Sequence, residues 1–164
     1  MLKYALALAV LVAPTISQAS TAKSVLSAAQ VRGEATFRFI GLPIYEARLY
    51  TDAGAPLDWN RDFGIELEYM RNLTETDLVE STLKELDRLG SPIPVRAQLT
   101  QCFDDVRKGD QYLAVSRGPN KIGFWRNGVR VCTLSHPQIK QRFMAIFVGD
   151  DTRSKSFTRQ LKGE

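Results

Sequence analysis

Between Val31 and Ile40 the chain alternates, with Val31, Gly33, Ala35, Phe37 and Phe39 on one face and Arg32, Glu34, Thr36 and Arg38 on the other. A period of two predicts a half-buried strand, because successive side chains of an extended chain point to opposite sides. After Gly41, Leu42 to Thr51 predicts a second strand. Pro43, Tyr45, Ala47 and Leu49 share one side of it, and Leu42, Ile44, Glu46, Arg48 and Tyr50 share the other. A loop rich in Gly, Pro and Asp, from Asp52 to Asp62, leads to a third strand in which Phe63, Ile65, Leu67 and Tyr69 alternate with Gly64, Glu66, Glu68 and Met70. Extending that parity places Arg71 on the apolar face.

The period changes at Thr74. A threonine there can accept the free amides of a helix start, Glu75 and Asp77 suit the positive first turn, and Leu78, Val79, Thr82, Leu83, Leu86 and Leu89 follow at helical spacing until Gly90. A shorter helical stretch is expected from Pro94 to about Phe103. Strands are then expected at Gln111 to Val115, Lys121 to Arg126 and Val129 to Leu134. Asn127-Gly128 joins the last two, and this dipeptide populates the positive φ angles of a tight hairpin turn. Ser135 is the expected cap of a helix striped by Ile139, Phe143, Ile146 and Phe147, and Thr152 the expected cap of a last one carrying Phe157 and Leu161. Runs of strands segregated from runs of helices indicate α+β, a mostly antiparallel sheet with helices packed on one face.

Composition narrows the classes. The chain has 164 residues, 44% hydrophobic and 24% charged, which fits one folded domain rather than a disordered or repetitive chain. Residues 1–19 read as a cleaved signal peptide: Lys3 supplies a positive start, Tyr4 to Ala13 is apolar, Pro14 interrupts, and Ser17-Gln18-Ala19 offers the small residues of a cleavage site. The domain would then span 20–164 and be periplasmic or secreted. The apolar run is about half of the ~20 residues needed to cross a bilayer, so no transmembrane segment is expected. The formal net charge of +4 is spread among interspersed acids and bases, which argues against nucleic-acid binding.

Candidate chemistry is sparse. The single histidine, His136, lies between Ser135 and Pro137, where helix-start geometry accounts for it, and the glycines form turns rather than a phosphate loop. Asp104-Asp105 and Asp150-Asp151 read as solvated turns, so no residue pattern calls for a metal or a cofactor. Cys102 and Cys132 would form a disulfide in an exported chain and would be small core residues in a reducing compartment. Arg71 on an apolar face must bind an anion, pair internally or reach water. Arg38, Arg48 and Tyr50 lie on the more polar strand face and are candidates for an anion-headed cleft.

The run Phe37 to Tyr50, FRFIGLPIYEARLY, resembles the early β-hairpin of the chalcone isomerase-like proteins, especially their bacterial exported branch. Leu67 to Arg71, Asp105 to Asp110, Phe124 to Gly128 and the closing stretch from Phe143 to Gly163 fall in that family's order. The resemblance implies an open-faced β-sandwich, a large sheet carrying a layer of helices with a ligand cleft between them. Plant chalcone isomerases close a flavanone ring with an arginine, a sheet threonine and a tyrosine. Here the threonine position falls at Ile40, the tyrosine position at Leu78, and the arginine position near Arg32. With both hydroxyls missing, stabilisation of a developing oxyanion is lost. The resemblance therefore implies the non-enzymatic relatives, which bind fatty acids or have no known reaction. The expected function is binding of a small amphipathic ligand such as a fatty acid, with Arg32, Arg38, Arg48, Tyr50 and Arg71 as candidate ligand residues. The alternatives are an isomerase or lyase with a divergent site and an envelope protein-interaction module whose partner is unknown.

Overall fold

A computed structural model describes residues 21–164; the expected cleavage site after Ala19 lies outside them. Six strands, β1 (Ala29–Phe39), β2 (Leu42–Asp52), β3 (Gly64–Tyr69), β4 (Gln111–Ser116), β5 (Lys121–Arg126) and β6 (Val129–Ser135), form one antiparallel sheet in chain order. Helices α2 (Glu75–Arg88) and α3 (Arg96–Cys102) stand between β3 and β4, and α4 (Ile139–Val148) and α5 (Lys155–Lys162) follow β6. These four helices cover one face, where Leu49, Ile65, Leu86, Leu99, Phe124, Ile139, Met144 and Leu161 form the core. On the opposite face the short α1 (Thr21–Val25) lays Ala22 against Tyr50, Leu113, Val115 and Trp125. Among the described residues no helix is long and apolar enough to cross a membrane.

The architecture is the expected α+β one, and its departures have local causes. Val31 pairs with Tyr50 while Gly33 pairs with Leu49, so Arg32 is the extra residue of a β-bulge. A bulge resets parity, and Val31 therefore faces away from the Gly33 side. Strand β3 ends at Tyr69, so parity does not reach Arg71, which is exposed rather than on the core face. Ser135 belongs to β6 and exchanges hydrogen bonds with the Gln98 side chain, at 2.8 and 3.0 Å; α4 begins after Gln138 instead. Helix α5 is capped by Ser154, whose hydroxyl accepts the Phe157 amide, while Thr152 is buried against Thr158.

Cys102 and Cys132 form a disulfide across a Cα separation of 5.3 Å, tying α3 to β6. Closing a loop of this length is worth about 3 to 4 kcal/mol on the chain-entropy model. At the other edge, α5 rests on β1. A side chain on Gly33 would come within 2.5 Å of the Gln160 and Leu161 carbonyl oxygens, so the helix can approach this closely only over a glycine.

Candidate functional site

A cavity of about 500 Å³ opens between the sheet and its helical layer. That volume lies within the range of small-molecule sites. Its walls are largely aromatic and form a chain of contacts: Phe37 stacks on Tyr45 at 5.2 Å, Tyr45 meets Tyr69 at 6.2 Å, Tyr69 meets Tyr112 at 6.4 Å, and Phe103, Phe124, Phe143 and Phe147 continue the series. Strands β1 to β5 supply the floor, and α2, α4 and α5 supply the roof.

Charged groups enter at the helical side. Helix α2 is fixed by a capping box in which the Thr74 hydroxyl accepts the Asp77 amide at 3.1 Å and the Asp77 carboxylate accepts the Thr74 amide at 2.9 Å. That hydrogen bonding holds the Asp77 carboxyl below its ordinary range. Two and a quarter turns along, Glu85 occupies the buried stripe and lines the cavity. Arg88 donates to one of its oxygens at 2.8 and 3.0 Å, and Arg153 ion-pairs with the other. Arg153 also lines the cavity, from the loop that Thr152 and Ser154 pin on either side.

Tyr45 and Tyr69 line the cavity, and neither hydroxyl has a hydrogen-bond partner among the described residues. Burial pushes both phenols well above their ordinary range, so they stay protonated donors through the physiological span. Tyr45 also feels the opposing charges of Glu85 and Arg153, which places its hydroxyl in the field of that pair. Tyr112 is committed elsewhere, donating to the Cys102 carbonyl and accepting the Asp104 amide at 3.0 Å.

None of the five candidate ligand residues lines this cavity. Arg32 donates to the carbonyls of Lys162, Gly163 and Gly54 and so clamps the end of α5. Arg38 is exposed near the β1–β2 turn, bonded to the Gly41 carbonyl, and Arg71 is exposed past the end of β3. Arg48 and Tyr50 occupy the opposite sheet face. There the Arg48 guanidinium is ringed by Glu34, Glu46, Glu66 and Glu68, and the Tyr50 hydroxyl donates to Glu66. Of the two replaced hydroxyl positions, Leu78 lines the cavity and Ile40 sits outside it, on the turn.

Sequence reasoning missed Arg153, Glu85, Tyr45 and Tyr69 as polar groups of the site. Glu85 carried a signal, a carboxylate seven residues after Leu78 and next to Leu86 in an otherwise apolar stripe. Arg153 carried none, since it lies in a short loop without periodicity.

No protein-family model and no curated protein matches the chain. Among solved structures, it is similar to the fatty-acid binding protein of Arabidopsis thaliana, with a TM-score of 0.66 and 11% identity over 84% of this chain and 88% of that one. The fold is thus the chalcone isomerase-like open-faced sandwich, six antiparallel strands under a helical layer.

Proposed function

We propose that the protein is an exported, non-enzymatic member of the chalcone isomerase-like proteins, of their bacterial exported branch, that binds a small amphipathic carboxylate such as a fatty acid. The observation that carries this reading is the aromatic cavity with an arginine on its wall. An acyl chain gains by leaving water for the aromatic walls. Its carboxylate can accept from the Arg153 guanidinium, and the uncommitted Tyr45 hydroxyl is a second donor in the same field. The similarity to a fatty-acid binding protein supports the ligand class. The Cys102–Cys132 bond supports an oxidising compartment, hence export with cleavage after Ala19 and a single domain over 20–164.

Native mass spectrometry of protein isolated from its own compartment, followed by titration with a long-chain fatty acid, tests the reading. A co-purifying lipid and a fatty-acid affinity that falls about tenfold or more in Arg153→Gln are expected, the value of one charge-assisted hydrogen bond. An empty protein that takes up no fatty acid would overturn it.

One observation favours a second reading, an isomerase or lyase with a divergent site. The unpartnered Tyr45 and Tyr69 hydroxyls are placed to donate to a developing oxyanion. A cyclisation assay on a chalcone at saturating enzyme separates the two, and turnover no faster than the uncatalysed rate is expected.

A further inference from the structure

The β1–β2 turn holds Phe39, Ile40 and Leu42 out to solvent at 52, 85 and 53% exposure. Exposed Met70 lies beside them, its amide donating to the Ile44 carbonyl at 2.9 Å. Ile40 and Gly41 both have positive φ, 50° and 76°, the geometry that favours Asn-Gly. The same chain uses Asn127-Gly128 for that geometry in the β5–β6 turn, at 46° and 84°. A β-branched residue is disfavoured at positive φ, and an apolar one gains nothing from water. Asparagine would suit both the backbone and the solvent at position 40, so folding does not account for the isoleucine.

Four cations belong to the same end of the sheet as these apolar side chains. Arg38 precedes the turn and Arg71 follows Met70. Arg107 and Lys108 belong to a loop tied to the same end of the sheet, where the Gly109 amide donates to the Tyr69 carbonyl at 2.7 Å and the Lys108 amide to the Asn72 side chain at 3.0 Å. All four side chains are exposed, and among the described residues none has a carboxylate within ion-pair distance. Most neighbouring acids are engaged: Asp104 and Asp110 with Arg126, Asp105 with the Glu75 amide, and Glu46 and Glu68 with Arg48. Arg126 offsets only one of Asp104 and Asp110, while Asp105 and, in the first turn of α2, Glu75 and Asp77 keep their charge, so the positive charge here lies in the four unpaired cations rather than in a net excess.

We infer that the turn is a docking element for an anionic lipid bilayer. Apolar side chains on a protruding two-residue turn can enter the headgroup layer while the Arg and Lys at the same end of the sheet meet lipid phosphates. The sheet face around Arg48 carries four glutamates against one arginine, so an anionic surface repels it and contact is made through the turn, with the sheet upright. Phe39 both lines the cavity and is half exposed, so docking brings the cavity wall to the surface where amphipathic molecules dissolve. The inference rests on the turn and its cations, and stands apart from what the cavity holds.

Sedimentation of the isolated protein with vesicles, with no fatty acid added, tests it. One vesicle set is phosphatidylcholine alone and the other equal parts phosphatidylcholine and phosphatidylglycerol. Binding to the mixed vesicles, weakened by salt and nearly absent on phosphatidylcholine, is expected. Arg71→Glu should weaken it about tenfold or more, from ~1 kcal/mol per unit charge near the surface. Ile40→Asn should weaken it severalfold while leaving fatty-acid affinity in vesicle-free solution unchanged. Lys121→Glu, the same charge change at the far end of the sheet, should leave vesicle binding within about twofold of the starting protein. Equal affinity for both vesicle types, no vesicle binding, wild-type binding by both turn variants, or an Ile40-dependent dimer in place of vesicle binding would overturn it.

Discussion

Arg153 and Glu85 form an ion pair on the wall of the aromatic cavity, so opposite charges lie side by side there. Arg88 holds the other oxygen of Glu85, so the negative charge stays fixed beside Arg153 when a ligand arrives. A carboxylate held at Arg153 would therefore also meet the repulsive Glu85 charge beside it, with Asp77 and Lys84 elsewhere on the cavity wall. Glu85→Gln removes the repulsion, and a threefold to fivefold gain in fatty-acid affinity is expected, the ~0.7 to 1 kcal/mol of a partly exposed pair. Isothermal titration of the variant reads it directly. Unchanged or weaker binding would locate the head group away from Arg153.

The buried phenols predict an alkaline limit. Tyr45 and Tyr69 titrate well above the ordinary value of 10.0, because burial disfavours the phenolate and neighbouring tyrosines add to the cost. The unfolded chain releases these protons near pH 10 while the folded chain keeps them, so stability is intact below that pH and declines as pH rises above it. Urea midpoints at neutral pH and at about pH 11 should differ less in Tyr69→Phe than in the parent protein. Equal losses in the two proteins would assign the alkaline limb to other groups.

Arg32 and Gly33 are expected to act on the fold rather than on the ligand. Gly33→Ala drives a methyl into two backbone carbonyls that cannot swing aside, and a loss of about 1 to 3 kcal/mol is expected. Arg32→Ala frees the carbonyls of Lys162 and Gly163 at the end of α5, and a loss of about 1 to 2 kcal/mol is expected, with fatty-acid affinity changed by less than about twofold. Denaturant melts and ligand titrations on the same samples separate the effects. A large affinity loss at full stability would return Arg32 to the ligand site.

The elements were legible because their periods are clean. Alternation over Tyr45 to Thr51 and Phe63 to Tyr69, the Thr74 cap and the Asn127-Gly128 turn each state a local rule that the tertiary structure obeys. What failed was parity carried past a break: a bulge at Arg32 reversed Val31, a second one at Ile44 put Pro43 out of phase with Tyr45 and brought Ile44 to the cavity, and the end of β3 released Arg71. Periodicity holds only while the backbone stays regular.

The site was less legible than the fold. The strand alternation identified the arginines of the polar face, but it could not tell which sheet face the helices cover. Arg48 and Tyr50 fell on the wrong side of the sheet for the cavity, within the glutamate ring. The ion pair that lines the cavity comes from a helix and a loop that meet only in the tertiary fold, where Arg153 reaches Glu85 of α2. Such a meeting of residues 85 and 153 leaves no mark in local sequence.

The docking of α5 on β1 couples two distant parts of the chain, and it governs when the cavity comes into being. Phe157 and Arg153, both cavity residues, arrive with the last element in chain order, whereas the Phe37 and Tyr45 they complete belong to the first hairpin. During synthesis the sheet can pair strand by strand, yet one wall of the cavity stays open until α5 has emerged and settled over Gly33. The cavity is therefore completed late, and a nascent or truncated chain that has made all six strands still lacks one of its walls.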